Sequence, residues 1–195
     1  MSTDTHRVVA LGFGLTLAAV VFIAQALLVE PTRERERRAA LRELAALADP
    51  VAFDNDPFAA VQDLSTRAPL PGLNATLVQA MPLRAGGRQV GVVVDARARG
   101  YVDDVVLRVA FATEGRVLGT QVLTQRETAG LGRRLVESNW LAQFDARTPH
   151  SEDPRWRVRR DGGEVDQLTG ATTTSRAALH ALLLAASVEL TDATP

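Results

Sequence analysis

The sequence predicts an α+β domain, with an antiparallel sheet and flanking helices, that follows a single N-terminal transmembrane helix. Three observations lead to this fold class. An uncharged run fills residues 8–29, apolar residues alternate between glycine turns from residue 76 to residue 125, and the last apolar run, residues 175–190, has neither proline nor glycine. These patterns are typical of a membrane span, of paired strands and of a helix, respectively.

The first element is the uncharged run from Val8 to Val29, which is 22 residues long. Because about 20 apolar residues cross the hydrocarbon core of a bilayer, this run predicts a transmembrane helix after a short tail, residues 1–7. The alternative is a cleaved signal peptide, since Ala24-Gln25-Ala26 resembles a cleavage site. The apolar run is longer than the roughly 7–15 residues of a signal core, which favours a permanent anchor.

The charges that flank this run bear on its orientation. Only Arg7 precedes the run, whereas Arg33, Arg35, Arg37 and Arg38 follow it. Basic residues are enriched on the cytoplasmic side of membrane helices, so the arginine count places the C-terminal domain in the cytoplasm.

The second element, residues 30–75, is predicted to be a helical stalk and linker. Residues 32–49 are strong helix formers, with Leu41, Leu44 and Leu47 on one narrow face and Glu34 four residues before Arg38. Prolines at positions 50, 57, 69 and 71 interrupt the rest of the range, so we expect loops and short helical turns there.

The third element, residues 76–195, is the predicted α+β domain. Two hairpins are expected, one turning at Gly86-Gly87 and the other at Gly115. Alternation along residues 105–111 predicts a strand whose better-buried face carries Val105, Leu107, Val109 and Phe111. Residues 133–144 predict a short helix with Leu135, Trp140, Leu141 and Phe144 on its core side, residues 155–160 a strand, and Ser175–Leu190 a helix.

Composition excludes several classes of function. The net charge of −1 argues against nucleic acid as a partner. The chain has no cysteine, so disulfides, thiolate metal sites and thiol catalysis are excluded. Its three histidines, His6, His150 and His180, are far apart in sequence, and we predict neither a metal site nor a catalytic residue from them.

A dense cluster of hydroxyl side chains precedes the last helix. The stretch DQLTGATTTS, residues 166–175, places hydroxyls at Thr169 and at positions 172–175 around Gly170. One interpretation is helix capping, in which serine or threonine oxygens accept hydrogen bonds from the first turn. The other is a phosphate held or esterified at the helix N-terminus, where free N–H groups and the helix dipole favour an anion. The residues alone leave both open.

A second stretch, RETAGLG at residues 126–132, combines two glycines with Glu127, Thr128 and Leu131. It offers an apolar contact, a hydrogen-bond acceptor and a donor on an open turn, as a planar ligand requires. The alternative is an ordinary turn between a strand and a helix.

Together the two stretches resemble known motifs. DQLTGAT is similar to the flavinylation motif Asp-x-x-(Ser/Thr)-Gly-Ala-Thr of FMN-binding domains, and ETAGLG is similar to their Glu-Thr-Pro-Gly-Leu-Gly stretch, with Ala129 in place of the proline. The single predicted span and GYVDDV, residues 100–105, match the same layout. The chain therefore resembles the G subunits of Rnf electron transport complexes (RnfG) and, more distantly, the NqrC subunits of sodium-translocating NADH:quinone reductases.

The resemblance implies one FMN joined through its phosphate to Thr172, with Thr169, Gly170 and Ala171 shaping the turn. It implies that Asp166 serves recognition by a flavin transferase, and that Glu127, Thr128, Leu131 and Gly132 meet the flavin ring or its ribityl chain. Thr173, Thr174 and Ser175 are then the expected helix caps, and Arg133 and Arg134 add positive charge beside the loop.

For function, the resemblance implies an electron-relay subunit of a complex that couples NADH and ferredoxin chemistry to ion movement. Its partners would be the other subunits, the flavin transferase and the membrane. The resemblance also implies that the flavin is attached outside the cytoplasm, which would place the domain on the periplasmic side of the bacterial inner membrane, against the arginine count. The alternatives are a flavin-free membrane-anchored binding module and an FMN-binding subunit of another redox chain, such as the quinone reductase.

Overall fold

The computed structural model of the chain describes residues 33–68, 70–124 and 133–188. The chain divides into two compact units, Met1–Glu43 and Leu44–Pro195. In the first unit, the predicted pair of Glu34 and Arg38 forms, with Nε of Arg38 2.8 Å from Oε1 of Glu34. The expected span, residues 8–29, lies outside the described part of the chain, and within that part no helix is long and apolar enough to cross a membrane.

The second unit is built on a five-stranded antiparallel sheet whose strands follow one another in chain order. Its strands are β1 (Gln62–Asp63), β2 (Ala75–Ala85), β3 (Arg88–Arg99), β4 (Asp104–Ala112) and β5 (Val117–Thr124). Both predicted hairpins are confirmed, joining β2 to β3 and β4 to β5. Gly86, Gly87 and Gly115 take φ values of 56°, 77° and 77° in the two turns, which a β-carbon would disfavour.

Within the described residues there are three helices and three 3₁₀ turns. The helices are α1 (residues 33–47), α2 (Arg133–Glu137) and α3 (Thr172–Ala186), and the 3₁₀ turns cover Pro57–Ala60, Asn139–Phe144 and Arg159–Asp161. The short helix expected over residues 133–144 is divided at Ser138 into α2 and a 3₁₀ turn. The last helix begins at Thr172 instead of Ser175 and ends at Ala186 instead of Leu190.

The predicted strand over residues 155–160 is wrong. The backbone of this segment bonds to the residues that follow it, from Glu164 N–H to the Arg155 carbonyl and from Val165 N–H to the Arg157 carbonyl. A β-carbon on Gly163 would lie 2.0 Å from the Arg157 carbonyl oxygen, so a glycine at this position is what lets the chain fold back so tightly. The segment therefore forms backbone hydrogen bonds with nearby residues and is not a strand of the sheet.

Each face of the sheet carries its own apolar cluster. Helix α3 packs against β2, β3 and β4, and the larger cluster between them includes Val105, Leu107, Val109 and Phe111, as the alternation predicted. The smaller cluster, on the other face, contains Leu44, Ala48, Met81, Leu83, Val93 and Ala110. The end of α1 comes so near β5 that a β-carbon on Gly119 would lie 2.4 Å from the Leu47 carbonyl oxygen.

One ion pair is buried within the sheet. Asp95, only 2% exposed, accepts hydrogen bonds from Nε and Nη2 of Arg108, both at 2.8 Å. Gln79 donates to the same carboxylate at 2.7 Å. The three residues lie opposite one another on β2, β3 and β4, so the strand register itself brings the charges together. A buried carboxylate is tolerated because it is fully hydrogen-bonded.

Candidate functional site

The hydroxyl-rich stretch forms a tight turn that leads directly into α3. The N–H of Ala171 donates to the carbonyl of Leu168 at 2.9 Å, and Gly170 has a φ of 80°. A β-turn whose third residue is left-handed has the geometry of a type II turn, which favours glycine at that position. Gly170 is therefore explained by the backbone conformation that brings residue 171 to the start of the helix.

Ser175 holds this turn against the helix from within. Its side chain is fully buried, and its Oγ accepts from the Leu168 N–H and donates to the Ala171 carbonyl, both at 3.0 Å. Its own N–H donates to the same carbonyl at 3.0 Å. One serine thus satisfies polar groups on both sides of the turn, in a place that water does not reach.

The capping role expected for Thr173, Thr174 and Ser175 is wrong. Ala171 occupies the cap position and makes no side-chain cap hydrogen bond. The three hydroxyl residues follow it inside the helix, where Thr173 is exposed and Thr174 and Ser175 are buried. The helix starts earlier than the apolar run suggested because the turn at Gly170 already directs the chain into helical geometry.

Thr172 is the first residue of α3 and is half-buried. Among the described residues its hydroxyl has no hydrogen-bond partner. The first N–H groups of any α-helix lack partners within the helix, and the N-terminal end of the helix dipole is positive. The Thr172 oxygen therefore lies where a phosphate would be electrostatically favoured. Its hydroxyl forms no hydrogen bond that supports the fold within the described residues.

Asp166, at the first position of the motif, is fixed through its backbone. Trp140 donates from Nε1 to its carbonyl at 2.6 Å, and its N–H donates to Oε1 of Gln143 at 3.0 Å. Its carboxylate is exposed and pairs with Nε of Arg159 at 2.8 Å. Exposed ion pairs contribute little to stability, so the Asp166 carboxylate has a defined position at the surface but is not needed to stabilise the fold.

A side chain from α2 also reaches the motif. Nη1 of Arg134 donates to the carbonyl oxygen of Thr169, which is exposed, at 3.2 Å. Arg134 follows the ETAGLG stretch in sequence, so this contact ties the element after that stretch to the motif turn. Glu127, Thr128, Leu131 and Gly132 themselves lie outside the described residues.

The charges nearest to Thr172 along α3 are already paired. Arg176, one turn further on, binds Asp161 through Nε at 2.5 Å and Nη2 at 2.6 Å. This guanidinium holds the pKa of the Asp161 carboxyl below its usual value. Across the described residues, no group of three or more histidine, aspartate or glutamate side chains converges in a way that would hold a metal ion.

Sequence reasoning missed several supporting residues. Trp140 was expected only in the core, and the contributions of Gln143 and Arg159 carried no sequence signal at all. All three contact Asp166 and precede it in the sequence by 26, 23 and seven positions, respectively. The contacts therefore depend on how the loop after α2 folds.

Comparison with known sequences gives a consistent result. The model of the family described as FMN-binding domain matches residues 100–187. The G subunit of the ion-translocating oxidoreductase complex of Shewanella baltica is 33% identical over 180 residues, covering 87% of this chain and 81% of that protein. The G subunit of the same name from Pseudomonas aeruginosa is 35% identical over 175 residues, covering 87% of this chain and 80% of that protein.

Comparison with solved structures identifies the same fold. The crystal structure of NqrC from Shewanella oneidensis aligns with a TM-score of 0.50 at 20% identity, covering 72% of both chains. At this level of identity the likeness concerns the fold alone, and it agrees with an antiparallel five-stranded sheet with flanking helices.

Proposed function

This chain belongs to the family of ion-translocating oxidoreductase complex G subunits, and from that premise we propose that it carries one covalently bound FMN and relays electrons between the subunits of such a complex. The match to the FMN-binding domain model supports FMN as the cofactor. The chain would act as a carrier, since a tethered flavin stays in place while electrons pass through it.

The observation that carries the proposal is the Thr172 hydroxyl. Thr172 itself is half-buried, its hydroxyl has no partner among the described residues, and it lies at the N-terminus of α3 after a turn held by Ser175 and Gly170. The first turn of the helix would stabilise the negative charge that a phosphodiester retains. The residues present therefore fit an FMN held through its phosphate.

We propose that attachment is a phosphoryl transfer from FAD. Oγ1 of Thr172 would form the bond to the flavin-side phosphorus as the pyrophosphate bond breaks, with AMP as the leaving group and the hydroxyl proton released. Asp166, fixed by Trp140 and Gln143 and exposed at the surface, is the residue we propose for recognition by the flavin transferase.

Further contacts to the cofactor would come from both motifs. When bound, FMN supplies reversible electron transfer through its ring system. Thr169, Gly170 and Ala171 shape the turn beside the phosphate, and Glu127, Thr128, Leu131 and Gly132 are proposed to meet the ring or the ribityl chain. Arg134 supports this assignment, because it connects α2, which follows the second motif, to Thr169 in the first.

The proposal includes membrane attachment. Residues 8–29 would anchor the chain in the bacterial inner membrane, with the domain on the periplasmic side, where the transferase meets Thr172. The names of the relatives, which describe subunits of an ion-translocating complex, support a membrane-associated role and partner subunits.

A denaturing gel viewed under ultraviolet light tests the proposal, with the protein produced together with a flavin transferase. The wild-type band should fluoresce, Thr172→Ala should be dark, and Thr173→Ala, which changes the exposed neighbouring hydroxyl, should fluoresce like the wild type. A dark wild-type band beside a fluorescent positive control for the transferase would favour a flavin-free binding module instead.

A further inference from the structure

The 3₁₀ turn formed by Arg159–Asp161 is fastened to the segment that leads into α3. Nε of Arg159 pairs with the carboxylate of Asp166 at 2.8 Å. The N–H of Arg160 donates to Oε1 of Gln167 at 3.3 Å. Both partners belong to the motif that ends at the first residue of α3, so these contacts fix the position of the turn relative to the start of the helix.

Asp161, the last residue of this turn, holds the side chain of Arg176 on α3. Its carboxylate accepts hydrogen bonds from Nε at 2.5 Å and from Nη2 at 2.6 Å, and the side chains of Arg176 and Asp161 are 39% and 35% exposed. A guanidinium has five N–H groups, of which this fork uses two. Within the described part of the chain the Arg176 side chain makes no other hydrogen bond, so it keeps donors for a second anion.

Arg176 and Thr172 lie on the same face of α3. They are four residues apart in one continuous helix, a spacing that brings the β-carbons of successive turns to within about 5–6 Å of each other. Long side chains on a helix lean towards its N-terminus and cover the preceding turn. Arg176 therefore covers the turn of α3 that begins with Thr172.

The same place carries a negative charge that a phosphodiester would have to tolerate. Hydrogen bonds from Arg176 are the main reason that the pKa of the Asp161 carboxyl lies below its usual value, so this group is ionised at neutral pH. A phosphodiester on Thr172 would add a second negative charge one helical turn away. Because like charges repel, the two anions need a cation near both, and Arg176 supplies one that stays protonated.

We propose that Arg176 binds the phosphodiester of the attached FMN with the N–H groups that Asp161 leaves open, and that Asp161 orients the guanidinium for this contact. The role requires flavin on Thr172, so it rests on the proposed function. It adds to the cofactor site a charged side chain that lies outside the attachment motif, together with the Arg159–Asp161 turn that positions it.

A thermodynamic cycle on the full chain in detergent tests this role. Wild type and Arg176→Gln are each produced with and without an active flavin transferase, and urea unfolding gives the equilibrium constant of unfolding for the four forms. Arg176→Gln should raise this constant about fivefold more in the flavinylated protein than in the bare one, because both forms lose the Asp161 pair but only the first loses the phosphodiester contact. Equal effects in the two forms would overturn the proposal.

Arg116→Gln is the matched control for this cycle. Arg116 pairs with Glu114 in the turn between β4 and β5, and its side chain is 37% exposed, close to the value for Arg176. The substitution removes the same charge from a surface pair, so it should have the same effect on the flavinylated and bare proteins.

Phosphorus NMR of the flavinylated proteins provides a readout that a purely structural ion pair would not change. The phosphodiester resonance should move in Arg176→Gln and keep its wild-type position in Arg116→Gln. If Arg176→Gln folds but accepts no flavin, both measurements are made on Arg176→Lys, which breaks the fork and for which changes of the same sign are expected.

The outcome separates this role from the flavin assignment itself. An unmoved resonance, in protein that mass spectrometry shows to carry FMN on Thr172, would overturn the role of Arg176 and leave the proposed function intact. A wild-type protein without covalent flavin, beside a working transferase control, would overturn both.

Discussion

The buried hydroxyl of Ser175 accepts a hydrogen bond from the N–H of Leu168 at 3.0 Å, joining the first turn of α3 to the turn that precedes it. Because the same hydroxyl donates to the Ala171 carbonyl, the turn and the helix form one unit with Thr172 at its junction. The position of the proposed attachment residue therefore depends on a fully buried serine three residues away.

Ser175→Ala should destabilise the protein by about 1–3 kcal/mol, because it leaves the buried Leu168 N–H without a partner. Urea unfolding measures this change in the free energy of unfolding. Thr173→Ala, at an exposed position in the same turn of helix, should stay within about 0.5 kcal/mol of the wild type. Equal stability of the two variants would show that the Ser175 bridge does not hold the turn.

Gly170→Ala should reduce flavin attachment and cost about 1–2 kcal/mol, because alanine is strained at a φ of 80°. Gly72 has a φ of 82° with open space around it, so Gly72→Ala should carry a similar stability cost and leave attachment intact. In-gel flavin fluorescence normalised to protein separates the two. Full attachment in Gly170→Ala would mean that the turn conformation is unimportant for presenting Thr172.

Asp95→Ala should cost about 3 kcal/mol or more, because it leaves the guanidinium of Arg108 mostly buried without its counter-charge. Thermal or urea unfolding measures the loss. Glu34→Ala removes an exposed pair with Arg38 and should leave stability close to the wild-type value. A small effect of Asp95→Ala would indicate that water or a local shift satisfies Arg108.

Acidification should lower the free energy of unfolding because of the titration of His180. Burial, followed by the charge of Arg176, lowers the pKa of this imidazole below 6.5, while Asp161 opposes the shift. The unfolded chain then takes up the proton first, so the free energy of unfolding should fall as the pH is lowered through 6.5.

Unfolding curves from pH 8 to pH 5 test this, with His180→Gln compared with His150→Gln. The stability of His180→Gln should fall less steeply than that of the wild type, and His150→Gln should follow the wild type. Parallel curves for all three proteins would remove His180 as the cause.

Periodicity predicted the sheet well, because the alternation of apolar residues along Val105–Phe111 and the glycine turns are local signals in the sequence. The alternation is there because one face of the strand is buried. The strand expected at residues 155–160 failed, since its backbone finds partners in residues 164 and 165 that no alternation reveals. Packing of Leu44 and Ala48 on the sheet depends on the approach to Gly119, a long-range contact.

At the site, the motif indicated which residues matter but not how they are held. The hydroxyl cluster suggested capping, yet its five members differ in burial. Thr169 and Thr173 are exposed, Thr174 and Ser175 are buried, and Thr172 is half-buried, with no partner for its hydroxyl among the described residues. Which hydroxyl faces inward depends on where the helix begins, and that follows from the turn at Gly170 rather than from the apolar run.

The most direct test of the account is the mass of one peptide from the protein purified from its native host. Cleavage after arginine releases residues 161–176, which contain every hydroxyl of the cluster. The account predicts this peptide heavier by one FMN minus one water, with fragmentation placing the added mass on Thr172. An unmodified peptide, or the flavin on Thr169 or Thr173, would contradict it.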